Sequence, residues 1–217
     1  MKITHHLDDA TLVAFAAGTL GEAHAIVAAA HMAYCPTCRL AAREAEAIGG
    51  SLLADQPTEA VSDVCRAATL ASLDAIAPAK RKAPAVSRSG LPKPICDAIG
   101  NKTLDEVKWK TKGPGVAIAE IALSPGAKGS LKLLSIGPGR AMPEHGHGGE
   151  ELTLVVQGSY SDHMGRFSAG DIADLDEETE HRPIVDSDIA CICVVATEAP
   201  TRFKPLWAKI VQPFVGI

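Results

Sequence analysis

The feature that most constrains how this chain can fold is the spacing of His145, His147 and Glu151 in its second half. Residues two apart on a β-strand point to the same face, so both imidazoles can face the interior of a barrel. Gly148-Gly149 fits a turn that returns the Glu151 carboxylate to the same point, and Gly158 fits the turn after the following strand. Two imidazoles and one carboxylate suit Zn, Fe, Mn or Ni. The spacing therefore predicts one divalent-metal site inside a small β-barrel.

A fourth ligand is expected from a later strand of that barrel, where His181 is the candidate and His163 its competitor. From about Asp105 onward the sequence consists of short apolar runs broken by glycines, which is typical of an all-β sandwich or barrel. The clearest predicted strands cover residues 116–123, 130–136, 152–156 and 189–196.

Residues 139–158 resemble the first cupin motif, G-x5-H-x-H-x3-E-x6-G, at every defined position. The second cupin motif matches at its ends, Gly170-Asp171 and His181, whereas residues 176–180 replace its usual Pro-x-Gly turn. The resemblance implies a C-terminal cupin β-barrel whose metal is held by His145, His147, Glu151 and His181.

A second group of ligand-type residues lies near the N-terminus, where His31, Cys35 and Cys38 are spaced as H-x3-C-x2-C. His31 and Cys35 are one helical turn apart and share a face, and Cys-x2-Cys is the usual spacing in a structural zinc site. For the fourth ligand of a tetrahedral site the His5-His6 pair offers a choice, with His24 as a competitor. The alternative interpretation is a redox cysteine pair, but these cysteines follow a helix rather than the strand of a thioredoxin-like site.

Residues 1–78 are predicted to form four helices, because they are rich in Ala and Leu and carry apolar stripes at helical spacing. The fourth of these helices presents apolar ridges that are available to a partner. The predicted limits rest on capping and turn signals: starts near Asp8 or Asp9, at the Thr19-x-x-Glu22 capping box, at Pro36 and near Ser62, with the third helix ending near Gly49-Gly50.

Residues 77–94 contain four prolines and five basic residues but no acidic residue. Such a segment is predicted to be a linker, because it has too few apolar residues to pack a core. The chain is accordingly divided into a helical domain at 1–78, a Pro-rich basic linker at 79–94 and a barrel domain at 95–217.

Charge and hydropathy exclude several classes of protein. The nine acidic and four basic residues of the helical domain give it a net charge of −5, which argues against direct binding to nucleic acid. No apolar run is long enough to cross a bilayer, and the N-terminus lacks the basic-then-apolar order of a signal peptide. The cytoplasm is therefore the expected compartment.

Four cysteines lie outside the N-terminal cluster. Cys65 and Cys96 are expected to be packing residues. Cys191 and Cys193 are two apart on a predicted strand and so share a face. They are interpreted as small core residues rather than sensor thiols, since a sensor requires an accessible or low-pKa thiol.

The N-terminal pattern of an upstream histidine followed by H-x3-C-x2-C resembles the zinc-binding anti-sigma domain. Such a domain ahead of a cupin resembles the ChrR family of anti-sigma factors over the whole chain, and residues 9–23 add to the likeness. The resemblance implies a two-domain α + β protein with a small zinc-binding helical bundle and a cupin β-barrel. It selects His6 from the His5-His6 pair, so that the implied zinc ligands are His6, His31, Cys35 and Cys38.

The resemblance further implies that the helical domain binds an extracytoplasmic-function sigma factor of the RpoE type, one-to-one, and keeps it from RNA polymerase. The cupin domain is then a metal-binding sensor that triggers release in response to singlet oxygen or related oxidants. Zn²⁺ is expected in the helical domain and also in the cupin, where Mn, Fe and Ni are alternatives. No enzymatic activity, nucleic-acid contact or membrane contact is expected. The rival hypothesis is a cupin metalloenzyme, a dioxygenase or isomerase, with an appended zinc-binding domain.

Overall fold

The first half of the chain is helical in the computed structural model, which describes residues 2–75, 90–200 and 202–203. None of the helices in these ranges is long and apolar enough to cross a membrane. The helices are α1 (Asp9–Ala16), α2 (Glu22–Tyr34), α3 (Pro36–Ala54), α4 (Asp63–Ala75) and α5 (Lys93–Ala98), followed by a 3-10 turn at Leu104–Glu106.

The helix starts follow three of the four predicted signals, and α4 begins at Asp63, one residue after the predicted start at Ser62. The Asp8 carboxylate accepts a hydrogen bond from the Thr11 amide at 2.6 Å and so caps α1. Pro36 opens α3, where its missing N–H costs nothing. The capping box at Thr19 is wrong, because the Thr19 hydroxyl donates to the Ala14 carbonyl of the preceding helix and Gly21 is the N-cap residue of α2.

The predicted end of the third helix at Gly49-Gly50 is also wrong, since α3 continues to Ala54. A glycine ends a helix when it takes a positive φ, and neither of these two glycines does so. Each costs about 1 kcal/mol relative to Ala in a helix interior, which does not outweigh the hydrogen bonds of the flanking turns.

The second half is built from twelve described strands, and the four predicted ones are all present within two residues of their predicted limits. In chain order they are β1 (Lys110–Gly113), β2 (Val116–Ile121), β3 (Ser130–Ile136), β4 (His145–Gly146), β5 (Glu151–Gln157), β6 (Ser159–Asp162), β7 (Gly165–Ser168), β8 (Ile172–Leu175), β9 (Glu180–His181), β10 (Ile184–Val185), β11 (Cys191–Thr197) and β12 (Arg202–Phe203).

These strands form one large sheet and two small ones. The large sheet has the order β1-β2-β3-β11-β5-β8, and the small sheets have the orders β10-β6-β7 and β12-β4-β9. Every pairing is antiparallel. Residues from all three sheets line a common interior cavity, so the architecture is the predicted cupin-like β domain.

The large sheet is covered on both faces, which the alternation along β3 makes plain. Leu131 and Leu133 belong to a hydrophobic cluster shared with the helices, whereas Lys132, Leu134 and Ile136 line the interior cavity. The same alternation recurs on β11 and β5. Helix α2 packs on β5 and β11, and α5 packs on α2. The helical unit and the barrel therefore share one hydrophobic core.

Two of the polar contacts between the units are made to one carboxylate, that of Asp171, which is 2% exposed. Its Oδ1 accepts hydrogen bonds from the backbone amides of Thr4 at 2.7 Å and His5 at 3.0 Å, and its Oδ2 accepts from the Ser168 amide at 2.9 Å. Burial opposes ionisation of Asp171, but these hydrogen bonds hold its pKa below the ordinary value. The N-terminal segment is thus fixed to the barrel by a buried charged acceptor.

Two regions, helix α4 and the predicted linker, differ from what the sequence predicts. All side chains of α4 that the structure describes are exposed, including the cysteine predicted to pack, Cys65. That expectation is wrong for Cys65, because its helix covers no core, and right for Cys96, which is buried. Most of the predicted linker lies outside the described residues, but its last part is folded, since Leu91 is buried and α5 begins at Lys93.

We expect Asp171→Ala to lower the free energy of unfolding by on the order of 3 kcal/mol, because three backbone donors lose a buried acceptor. Urea denaturation of the full chain measures the effect. Asp188→Ala is the matched control, since Asp188 is an exposed carboxylate on the same domain, and it should change stability by less than about 0.5 kcal/mol. Equal effects of the two variants would show that Asp171 does not hold the units together.

Two candidate metal centres

Four side chains converge between the N-terminal segment, α2 and α3: His6, His31, Cys35 and Cys38. Their potential ligand atoms all lie within 4.8 Å of one another. His31 lies in the last turn of α2, Cys35 is the residue between α2 and α3, and Cys38 lies in the first turn of α3. The turn between two helices therefore brings the three H-x3-C-x2-C residues together, as their spacing predicts.

The structure distinguishes the two adjacent N-terminal histidines. His6 Nδ1 lies 3.2 Å from Cys35 Sγ and 3.5 Å from Cys38 Sγ. His5 instead stacks on Phe167 of the barrel, with ring centroids 3.9 Å apart. His24, the other competitor, is buried and donates from Nε2 to the Glu150 carbonyl. Only His6 among the three is placed with the cysteines.

The distances in this cluster fit a tetrahedral zinc ion. With Zn–S near 2.3 Å and Zn–N near 2.05 Å, a nitrogen and a sulfur ligand are about 3.6 Å apart at the tetrahedral angle. The measured N···S distances are 3.2, 3.3 and 3.5 Å. Carboxylates are absent from the set, and two thiolates with two imidazoles are a donor set that zinc favours.

Protonation in the helical cluster also fits a metal centre. Burial lowers the pKa of His31 to about 4, so its imidazole is neutral at pH 7. His31 Nδ1 donates to the Gly170 carbonyl at 3.0 Å, which directs the lone pair of Nε2 toward Cys38 Sγ. Burial raises the pKa of Cys38 to about 11, so a thiolate at this position requires a nearby cation.

The second cluster lies inside the barrel and consists of His145 on β4, His147 just after it and His181 on β9. All three are buried, and their potential ligand atoms lie within 4.8 Å of one another. Strands β4 and β9 pair with His145 directly opposite His181. His163, the competitor for the fourth position, is exposed and lies outside the cluster.

Each of these three imidazoles donates from Nδ1 to an oxygen outside the cluster. His145 donates to the Pro143 carbonyl at 2.8 Å, and His147 to the Asp176 carbonyl at 3.3 Å. His181 donates to Asp162 Oδ2 at 3.0 Å. The tautomer is thereby fixed, and every Nε2 lone pair is directed toward the centre of the cluster.

A cation at the centre of these three imidazoles would offset the repulsion between their nitrogen lone pairs. His145 Nε2 and His181 Nε2 lie 3.0 Å apart, and with both protons on Nδ1 the two lone pairs repel each other. His147 Nε2 is buried and has no hydrogen-bond partner in the part of the chain that is described. Two nitrogens about 2.1 Å from one ion at a right angle are about 3.0 Å apart, so the spacing fits ligands of a common metal.

Glu151, the predicted carboxylate ligand, lies next to this cluster. It is buried at the start of β5, with Oε2 3.8 Å from His147 Nε2 and Oε1 accepting from the Thr153 hydroxyl at 2.9 Å. The carboxylate thus lies beside the three imidazoles, although it is not as close to all of them as they are to one another. Burial lowers the pKa of His145 to about 4, which keeps that ligand atom unprotonated at pH 7.

Sequence reasoning missed the supporting residues of both clusters. Asp162 was not singled out, although its hydrogen bond orients His181; burial opposes its ionisation, but the bonds from His181 and the Met164 amide lower its pKa. Gly170 was noted only as part of a motif, yet its carbonyl orients His31 across the interface. A carbonyl contact across two domains leaves no local signal in a sequence.

Cys191 and Cys193 both line the barrel cavity, with Sγ atoms 3.7 Å apart, and both are buried. The hydrogen bond with Cys191 and burial raise the pKa of Cys193 well above its ordinary value. Both thiols are buried, in keeping with the packing role expected for them.

The fold and the two clusters define the class: a cupin-like barrel joined through a common core to a helical unit with a His₂Cys₂ cluster. A family model described as the ChrR cupin-like domain matches residues 101–200. The anti-sigma-E factor ChrR of Cereibacter sphaeroides is 43% identical over 221 residues, covering 100% of both chains. The chain therefore belongs to the ChrR family of anti-sigma factors.

A solved structure of a ChrR protein agrees with that assignment. The crystal structure of Rhodobacter sphaeroides SigE in complex with the anti-sigma ChrR matches with a TM-score of 0.75 and 40% identity, covering 90% of this chain and 99% of that chain. An RmlC-like cupin protein from Ralstonia eutropha matches with a TM-score of 0.42 and 20% identity, over 48% of this chain and 71% of that chain.

We expect His6→Ala to abolish or strongly weaken metal binding at the helical cluster, whereas His5→Ala leaves it intact. Only the first replacement removes a side chain that lies beside the two cysteines. Metal analysis of the purified full chain measures the effect, and an added chromophoric chelator compares retention by the two variants. Equal metal content and retention in both variants would contradict the assignment of His6.

Proposed function

We propose that this protein is an anti-sigma factor, which binds an extracytoplasmic-function sigma factor of the RpoE type one-to-one and keeps it from RNA polymerase in the cytoplasm. The observation that carries the proposal is an uncovered apolar face on α3 and α4. A family relationship to proteins named as anti-sigma factors, one of them crystallised with SigE, supports the same partner.

The uncovered face consists of large apolar side chains that the rest of the described chain leaves in solvent. Leu53 at the end of α3 is 75% exposed and Val64 on α4 is 80% exposed. Exposed apolar side chains mark protein interaction sites, and an amphipathic helix commonly docks its apolar side chains into a partner's groove. The exposed residues lie on α3, on α4 and, for Val61, between the two helices: Ile48, Leu52, Leu53, Val61, Val64, Leu70 and Leu73.

The charge of the helical part favours a basic protein surface as the partner. Residues 1–78 hold nine acidic and four basic residues, a net charge of −5. Sigma factors carry basic surfaces that contact DNA and polymerase, and an acidic partner can occupy these through complementary potential. The same charge disfavours direct contact between this chain and nucleic acid.

In this proposal, Zn²⁺ is bound in the helical unit by four side chains, those of His6, His31, Cys35 and Cys38. The ion stabilises the short helices around it, and structural zinc sites contribute on the order of 10 kcal/mol to folding. His145, His147, Glu151 and His181 hold one divalent metal in the barrel. Zn²⁺ is the first candidate there, and Mn, Fe and Ni are alternatives because imidazole and carboxylate ligands accept all of them.

Residues 95–217 act as the sensor in this proposal, and an oxidant such as singlet oxygen causes release of the sigma factor through them. A continuous route is available from the barrel cluster to the helical unit. Glu151 on β5 pairs with Leu175 on β8, and β8 follows directly on Gly170 and Asp171. Those two residues bind His31 and the Thr4 amide. Damage at the barrel cluster can therefore displace the segment that holds the helical unit.

In this division of the chain, residues 1–78 bind the sigma factor and residues 79–94 link them to the sensor. The rival enzyme hypothesis is not favoured, because the full-length relatives are regulators. Turnover of small oxidisable substrates by the full chain would be the sign of an enzyme.

We expect Val64→Asp combined with Leu70→Asp to weaken binding of the cognate sigma factor at least tenfold, because two charges would be buried in an apolar interface. Fluorescence anisotropy with labelled sigma factor measures affinity, and transcription in vitro with RNA polymerase measures inhibition. Ile189→Asp is the matched control, since Ile189 is 55% exposed but lies on the barrel. Circular dichroism and metal content should remain unchanged in both variants. Sigma binding at the wild-type affinity by the α4 variant would refute the proposed surface.

A further inference from the structure

The barrel encloses a cavity of about 580 Å³ that reaches the histidine cluster at one end. A volume of this size lies within the range of small-molecule sites, and a few convergent polar groups on apolar walls are typical of such sites. The walls are mainly apolar and include Ile118, Leu134, Ile136, Met142, Val185 and Val195. A metal centre that only cross-linked strands would not require an apolar chamber beside it.

One cation projects into this chamber. Lys132 lies on β3 between Leu131 and Leu133, which face the helical unit, so its side chain points to the opposite, cavity side. The side chain is half-buried, and burial lowers its pKa, an effect that the carboxylates of Glu120 and Glu151 partly offset. An ammonium that lines an apolar cavity can donate a charge-assisted hydrogen bond to an anion that enters it.

A buried hydroxyl in the same wall has no hydrogen-bond partner. Tyr160 is 4% exposed, and its ring stacks on Phe167 with centroids 4.9 Å apart, which fixes its direction. No hydrogen bond to its hydroxyl exists within the described ranges, although Tyr160 lines the cavity. Leaving a buried hydroxyl unpaired is unfavourable, so a ligand oxygen that accepts from it would bind favourably.

We propose that the cavity is a binding site for one small organic acid, with its carboxylate held by Lys132 and the Tyr160 hydroxyl and its apolar body against Leu134, Ile136 and Val195. The proposed site depends on the cavity wall alone and not on the sigma factor. It therefore goes beyond the proposed anti-sigma function, and it would hold for any partner of the helical unit.

The experiment is isothermal titration calorimetry of the full chain, purified with its metals, using octanoate as the probe. Octan-1-ol has the same apolar body without the charge, and acetate has the charge without the body. We expect one octanoate to bind per chain, at least tenfold more tightly than either comparison compound, because a charge-assisted hydrogen bond and apolar burial each contribute more than about 1.4 kcal/mol.

The variants separate the two polar contacts from general packing. Lys132→Met should weaken octanoate about tenfold or more and leave octan-1-ol unchanged, because only the carboxylate uses the ammonium. Tyr160→Phe keeps the stacked ring and should weaken octanoate by about three- to tenfold. Lys128→Met is the control, since Lys128 is exposed near the cavity rim and does not line it.

Three results would overturn the proposal. Acetate binding as tightly as octanoate would mean that a carboxylate simply binds the metal and that the apolar walls are not used. If Lys132→Met bound octanoate with unchanged affinity and kept wild-type metal content and circular dichroism, the ammonium would not be part of the site. If the wild-type protein showed no saturable octanoate binding, the cavity would not be a binding site for such acids.

Discussion

The hydrogen bond from His31 Nδ1 to the Gly170 carbonyl is the contact on which the rest of the structure depends, because it belongs to both halves of the molecule. On one side it orients His31, a proposed zinc ligand, and on the other it lies directly beside Asp171, which binds the N-terminal segment that carries His6. A buried imidazole and a buried carboxylate tolerate little displacement without losing their partners. The helical cluster is therefore completed by the barrel rather than built by the helices alone.

Most members of the two clusters could be predicted from the sequence, because local backbone geometry brings them together. His145 and His147 are two apart on extended chain, and His31, Cys35 and Cys38 surround a helix–helix turn, so spacing alone brings each set together. His5 and His6 could not be separated in this way, because adjacent residues on an extended segment point in opposite directions and only tertiary packing decides which faces inward. The family resemblance, not the spacing, selected His6.

Long-range packing explains the remaining differences between expectation and structure. The large sheet is covered on both faces, which the continuous apolar run of β11 indicates, but nothing local in the sequence shows that helices supply the cover on the outer side. Helix α4 shows the opposite case, since its apolar residues predicted an amphipathic helix but cover no core among the residues that the structure describes. In a family whose relative is crystallised with a sigma factor, an uncovered apolar helix indicates that part of the fold is completed by a partner.

The central claim is that damage at the barrel cluster is transmitted to the helical unit through Gly170 and Asp171. Hydrogen exchange of the full chain before and after exposure to photosensitised singlet oxygen tests it most directly. The account predicts faster exchange of the Thr4 and His5 amides, which donate to Asp171, and loss of that response in His147→Ala. Faster exchange confined to the barrel strands, or the same response at Thr4 and His5 in the variant, would contradict it.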